Sequence, residues 1–164
     1  MNAHDCPQID LAHALGEIAS MPAFLERAFA TAGPGRLATM PAAGGFSLLE
    51  HACHLRDLEA EGYSVRVRRL LEEERPELAG FDGARIAIER DYRRQDARSA
   101  LDAFTQLRTA LAARVAALSG DERCREGRFA GKPVTLEGMV AMMVGHDREH
   151  RAEIERLIEE FGAR

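Results

Sequence analysis

From Thr135 to about Phe161 the chain repeats apolar residues at helical spacing, and two histidines sit on the same stripe. Residues i and i+4 of an α-helix lie one above the other on one face. His146 and His150 therefore share a face with Met139, Met143, Leu157 and Phe161. Such a face packs into a core, where unpaired polar rings are costly. One pattern thus predicts a long buried-face helix and a pair of imidazoles that can converge on one metal ion.

Three more stretches carry the same period. The first begins near Asp10, an N-cap residue. It points Leu11, Leu15, Ile18, Phe24, Leu25 and Phe29 inward and stops before Gly33-Pro34-Gly35. Pro22 is expected to kink or interrupt it, because proline removes a helical hydrogen bond. The second opens at Ser47, where Ser47-Leu48-Leu49-Glu50 fits a capping box. Leu48, Ala52, Leu55, Leu58, Val65 and Leu70 carry it to about Glu74, with Gly62 a weak point. The third runs from Ser99 along Leu101, Phe104, Leu107, Leu111, Val115 and Leu118, with Gly120 as its stop.

Between the second and third helices, Glu77 to Gly83 reads as a turn-rich connection. Ala84 to Arg94 reads as a short helix anchored by Ile86, Ile88 and Tyr92. Asp121 to Val134 is an extended loop or a small hairpin. The fourth helix starts near Thr135. No repeat or linker divides the 164 residues, so residues 1–164 form one domain. The expected class is all-α, an antiparallel four-helix bundle with a long crossover between helices 2 and 3. Bundles of this type build sites from side chains on facing helices.

The net charge is −5, with acidic and basic residues intermixed and no basic block. That argues against nucleic acid as the main partner. No run of 18 apolar residues occurs, which speaks against a transmembrane helix. The first residues lack a basic region followed by an apolar stretch, so a cytoplasmic location is expected. Cys6, Cys53 and Cys124 form no Cys-x-x-Cys pair and read as free thiols.

Two histidines rarely complete a metal site; catalytic zinc typically has three protein ligands and one open position. The second helix supplies the third candidate. His54 shares a stripe with Leu58 and Val65 and points inward. His51 is turned from it by about 60° and is a weaker choice. Cys53 is adjacent to His54, so the two diverge on a helix by about 100°. Asp57, one turn after His54, and Glu149, inside the fourth-helix pair, could hold an imidazole N–H or handle protons. Each of these acids has an alternative reading as part of a solvated helix face. His4 and His13 read as surface residues.

Gly45-Phe46-Ser47-Leu48-Leu49-Glu50-His51-Ala52-Cys53-His54-Leu55-Arg56-Asp57 resembles the second-helix motif of the DinB/YfiT-like superfamily, an aromatic-Ser helix start followed by His-Leu-x-Asp. His146-x-x-x-His150 in the last helix and the helix order are similar too, from about Asp10 to Phe161. Phe46 stands where many relatives carry tryptophan. The resemblance implies three metal ligands at His54, His146 and His150, the same set that periodicity selects. It also implies a divalent ion, zinc or nickel most of all, a homodimer, and a small-molecule substrate such as a low-molecular-weight thiol.

Three functions follow as expectations. The first is a metal-dependent enzyme that activates a small thiol or water, acting as a thiol S-transferase or a hydrolase. Three neutral imidazoles leave such a site with a charge of +2, which favours an anionic ligand. The second is a non-catalytic metal- or ligand-binding stress-response bundle, in which His51 or Cys53 would close the site as a fourth ligand. The third reads His146-Asp147-Arg148-Glu149-His150 as the H-x-x-E-H protease pattern, with Glu149 as base. That reading needs no contribution from His54.

Overall fold

The computed structural model describes residues 9–163. His4 and Cys6 lie outside them. Four long helical units form the bundle. They are α1 (Leu11–Ala32), a composite of α2 (Leu48–Asp57), a π-helical segment (Leu58–Tyr63) and α3 (Ser64–Glu72), then α5 (Ala97–Ala116) and α7 (Leu136–Gly162). The short helices α4 (Gly83–Glu89) and α6 (Gly120–Arg123) lie in the connections. Helix α1 packs on α5 and α7, and α2 packs on α5.

The helix starts follow from side-chain caps. Asp10, Ser47, Asp96 and Thr135 each accept a hydrogen bond from the backbone N–H three residues on. Ser47 and Glu50 complete the reciprocal capping box. Three expectations need correction. Pro22 does not interrupt α1; it lies buried inside a continuous helix. The third long helix starts at Ala97, two residues before Ser99, because Asp96 is its cap. Gly120 does not stop that helix, which ends at Ala116; Gly120 opens α6 behind a second capping box, Ser119 with Glu122.

The π-helical segment changes which residues face inward. A π turn inserts an extra residue into the helical repeat. The stripe expected to continue from Leu58 to Val65 is therefore displaced. Val65 is half-buried, while Tyr63, Arg66 and Val67 take the buried positions.

The crossover between α3 and α5 carries α4 and a small strand. β1 (Glu77–Leu78), inside the expected turn-rich connection, pairs in parallel with β2 (Glu126–Phe129). β2 pairs antiparallel with β3 (Lys132–Thr135), so the expected hairpin forms, turning at Ala130 and Gly131, both at positive φ. Gly127 lets β2 pass close to its neighbours. A Cβ there would lie 2.8 Å from both a Leu70 methyl and the Pro76 carbonyl oxygen. In α4 Ile86 and Ala87 are buried; Ile88 is 82% exposed and anchors nothing, contrary to expectation. Tyr92 is buried as expected.

One side chain binds all four helical units. Arg108 of α5 is 1% exposed. Its Nε and Nη2 donate to the two carboxylate oxygens of Glu59 in the π segment, each at 2.9 Å. Its Nη1 and Nη2 donate to Asp147 of α7, and Nη1 also to the carbonyl of Ile18 in α1 at 2.9 Å. All five guanidinium N–H groups are used. No helix among the described residues is long and apolar enough to cross a membrane.

Candidate metal centre

The register set by Arg108 places Asp147 against α5 and turns the two adjacent-turn histidines of α7 toward α2. The Nε2 atoms of His54 and His146 are 3.4 Å apart, and those of His146 and His150 are 3.0 Å apart. Ligand atoms of all three rings lie within 4.8 Å of one another. Tetrahedral zinc with bonds of 2.0–2.1 Å to nitrogen separates its donors by roughly 3.4 Å. The spacing suits one ion shared by three imidazoles.

The rings are held as neutral bases. Burial lowers the His54 pKa to about 4, with Asp57 opposing weakly. Burial, then the charges of His54, Arg108 and Arg66, lowers His146 to about 4. Burial and the neighbouring histidines lower His150 to about 2 and His51 to about 3. Neutral imidazole is the form that ligates a metal.

These shifts make the metal-free protein acid-sensitive. The folded state holds the histidines well below their ordinary value of 6.5. As the pH falls below about 6.5 the unfolded chain takes up protons that the folded chain refuses. Stability therefore drops with falling pH, by up to about 1.4 kcal/mol per unit for each histidine. Urea unfolding of chelator-treated protein at pH 7.5, 6 and 5 checks this. The midpoint should fall at each step; a flat profile would contradict it.

His51 does not join the three-ring cluster. Its Nδ1 lies 2.9 Å from Nδ1 of His150, on the far side of that ring. With the Nε2 lone pair of His150 aimed at the shared point, Nδ1 carries the proton and donates to His51. The Nε2 of His51 then faces Glu153 at 3.8 Å. His51, His150 and Glu153 also meet the distance condition for a metal group, with Glu153 exposed. The chain His150–His51–Glu153 reads better as an outer brace that orients His150, since the same His150 offers its other nitrogen to the buried cluster.

Cys53 is equally distant in role. Its Sγ donates to Oε1 of Gln95 at 3.5 Å, and burial raises the thiol to about 11. It is a neutral thiol turned away from the histidines. Asp57 does not contact an imidazole either. Its Oδ1 accepts from Arg56 and its Oδ2 from Arg90 and the Tyr92 hydroxyl. Burial alone would raise its pKa, but these donors outweigh it and lower the pKa. Asp57 thus ties α2 to the crossover. Glu149 is exposed and lies at the rim of a pocket beside the cluster. His13 is exposed and pairs with Glu17, as expected of a surface residue.

His54 and His146 form part of the wall of that pocket, whose volume is about 350 Å³. Tyr63, Phe81 and Phe129 supply aromatic surface to it, and Arg66 a buried cation. The π segment delivers Tyr63 and Arg66, and the small sheet delivers Phe129. The Nδ1 atoms of His54 and His146 find no hydrogen-bond acceptor among the described residues. Packing holds His54 instead. Phe46 and Phe81 lie 5.4 and 5.9 Å from its ring centre.

Gly83 closes the other side, a role with no sequence signal beyond the glycine itself. A Cβ at this position would lie 2.5 Å from Cε1 and 2.6 Å from Nδ1 of His54. Gly83→Ala must push the ring away although it changes no ligand. Metal affinity is expected to fall about 10- to 100-fold, the usual effect of disturbing a ligand's support. Titration of the variant with zinc checks this, and wild-type affinity would contradict it.

A four-helix bundle with three imidazoles converging between its second and fourth helical units is a recognisable class of protein. Residues 18–154 match the family model of the DinB superfamily. The chain belongs to the DinB superfamily. Its structure is similar to that of YfiT from Bacillus subtilis, described as a probable metal-dependent hydrolase with an unusual four-helix bundle topology. The TM-score is 0.86 at 21% identity, over 99% of this chain and 93% of that one. At that identity the likeness concerns the fold. No curated protein matches the chain in sequence.

Proposed function

We propose that the chain is a metal-dependent enzyme, with His54, His146 and His150 holding a divalent ion, zinc or nickel. The reading is carried by three Nε2 atoms that converge where His54 and His146 meet the pocket. An ion held by neutral imidazoles lowers the pKa of a water or thiol that binds it, so a nucleophilic anion exists at neutral pH. The chain's own groups do the rest. Tyr63, Phe81 and Phe129 offer a small molecule an aromatic wall beside the histidines. His51 and Glu153 hold the His150 ring in place.

Thiol S-transfer and hydrolysis are the two reactions that fit. Zinc- or nickel-loaded protein should transfer a low-molecular-weight thiol to a small electrophile, or hydrolyse an activated small ester. His54→Ala should lose the activity. Full activity in His54→Ala would overturn the assignment, and would instead favour the H-x-x-E-H protease reading. A purely structural ion would need a closed coordination shell. His51 and Cys53, the two candidates for a fourth ligand, face elsewhere.

A further inference from the structure

Two arginines are buried in this bundle, and their surroundings differ. Arg108 has every N–H donated to a carboxylate or carbonyl. Arg66 of α3 is only 5% exposed, yet its Nε donates to the carbonyl of Ala79 at 3.1 Å and no other acceptor is within reach among the described residues. No carboxylate there lies within ion-pair distance of it. Its guanidinium is stacked on Phe129, 4.5 Å from the ring centre, and lies 5.4 Å from that of Tyr63.

A buried cation without a counter-charge is costly. Stacking on two rings offsets part of that cost and fixes the orientation of the plane. The two Nη groups remain as a fork with no acceptor among the described residues. Arg66 borders the pocket that His54 and His146 also border. A planar fork of this kind matches a carboxylate bidentately. Apart from Glu149 at the exposed rim, the remaining wall is aromatic and apolar, and the volume lies at the small end of ligand pockets, which run about 300–1,000 Å³.

We propose that Arg66 is the substrate-binding residue of this pocket. It takes the carboxylate of a small molecule whose apolar body lies against Tyr63, Phe81 and Phe129. The substrate class is a small aryl or alkyl carboxylate with its reacting atom directed at the histidine cluster. This deepens the enzymatic reading and rests on it for the reaction, while the binding itself does not require the ion.

The test uses the full chain, both chelator-treated and zinc-loaded. Phenylacetate, 3-phenylpropionate and hexanoate are titrated by calorimetry beside their primary amides. At least one carboxylate should bind the metal-free protein tenfold or more tighter than its amide. Arg66→Met should erase that preference, and Arg66→Lys should keep part of it. Both variants should still bind zinc, since Arg66 is not one of the three imidazole ligands. If Arg66→Met does not fold, the Arg66→Lys loss of preference and a shift of the Arg66 Nε–H resonance on adding carboxylate to wild type carry the test. No preference in wild type, or the same preference in the foldable variants, would overturn the proposal. Carboxylate preference without any zinc binding would leave Arg66 in place and remove the metal reading alone.

Discussion

Arg108→Ala should lower the stability of the protein by about 3–5 kcal/mol, the cost of leaving buried charges without their partner. The reason lies in what remains. Glu59 and Asp147 are both buried, and burial already raises both carboxyl pKa values despite the guanidinium between them. Without it they face each other as unpaired acids, and the Ile18 carbonyl loses its donor. All four helical units lose their common tie. Urea unfolding measures the loss. Adding Glu59→Gln and Asp147→Asn to Arg108→Met should recover part of it, because the uncompensated charge is gone. A loss below about 1 kcal/mol for Arg108→Ala would mean that the cluster does not organise the bundle. Because Asp147 adjoins His146, the single variant should also bind zinc more weakly.

The second large effect is on metal-dependent stability. An ion that binds only the folded chain stabilises it by about 4 kcal/mol when free metal is 1,000 times its Kd. For a chain of this length that raises Tm by roughly 8–16 °C. Chelation should reverse the shift. His146→Ala removes the nitrogen nearest both other rings and should abolish the shift. Glu149→Gln should keep it, since that carboxylate sits at the exposed rim. A full zinc-dependent shift in His146→Ala would place the ion elsewhere, with His51, His150 and Glu153 the alternative group.

The bundle was legible because its long helices carry regular apolar stripes and strong caps. His146 and His150 could be placed from spacing alone, and His54 from its position before Leu58. The residues that escaped are those whose position depends on a break in the period. The π segment moves Arg66 onto a buried face that a regular helix would give to Val65. No local propensity announces such a turn. Arg108 lies on the stripe of Phe104, Leu111 and Val115, so its place was readable, but a charge there has meaning only once Glu59 and Asp147 arrive from other helices. Asp57 shows the reverse. Its spacing from His54 suggested a partner for the imidazole, and three donors from Arg56, Arg90 and Tyr92 took the carboxylate instead. The strand at Glu77–Leu78 is two residues long and exists only because β2 lies beside it. Gly83 gives no sign in sequence that its missing side chain makes room for His54.

Elemental analysis of purified protein, wild type beside His54→Ala and His146→Ala, is the most direct measurement. The three-imidazole centre requires about one divalent ion per wild-type chain and little or none in either variant, with all three folded. Equal metal in the three proteins, or none in wild type after growth and dialysis with zinc or nickel, would contradict it.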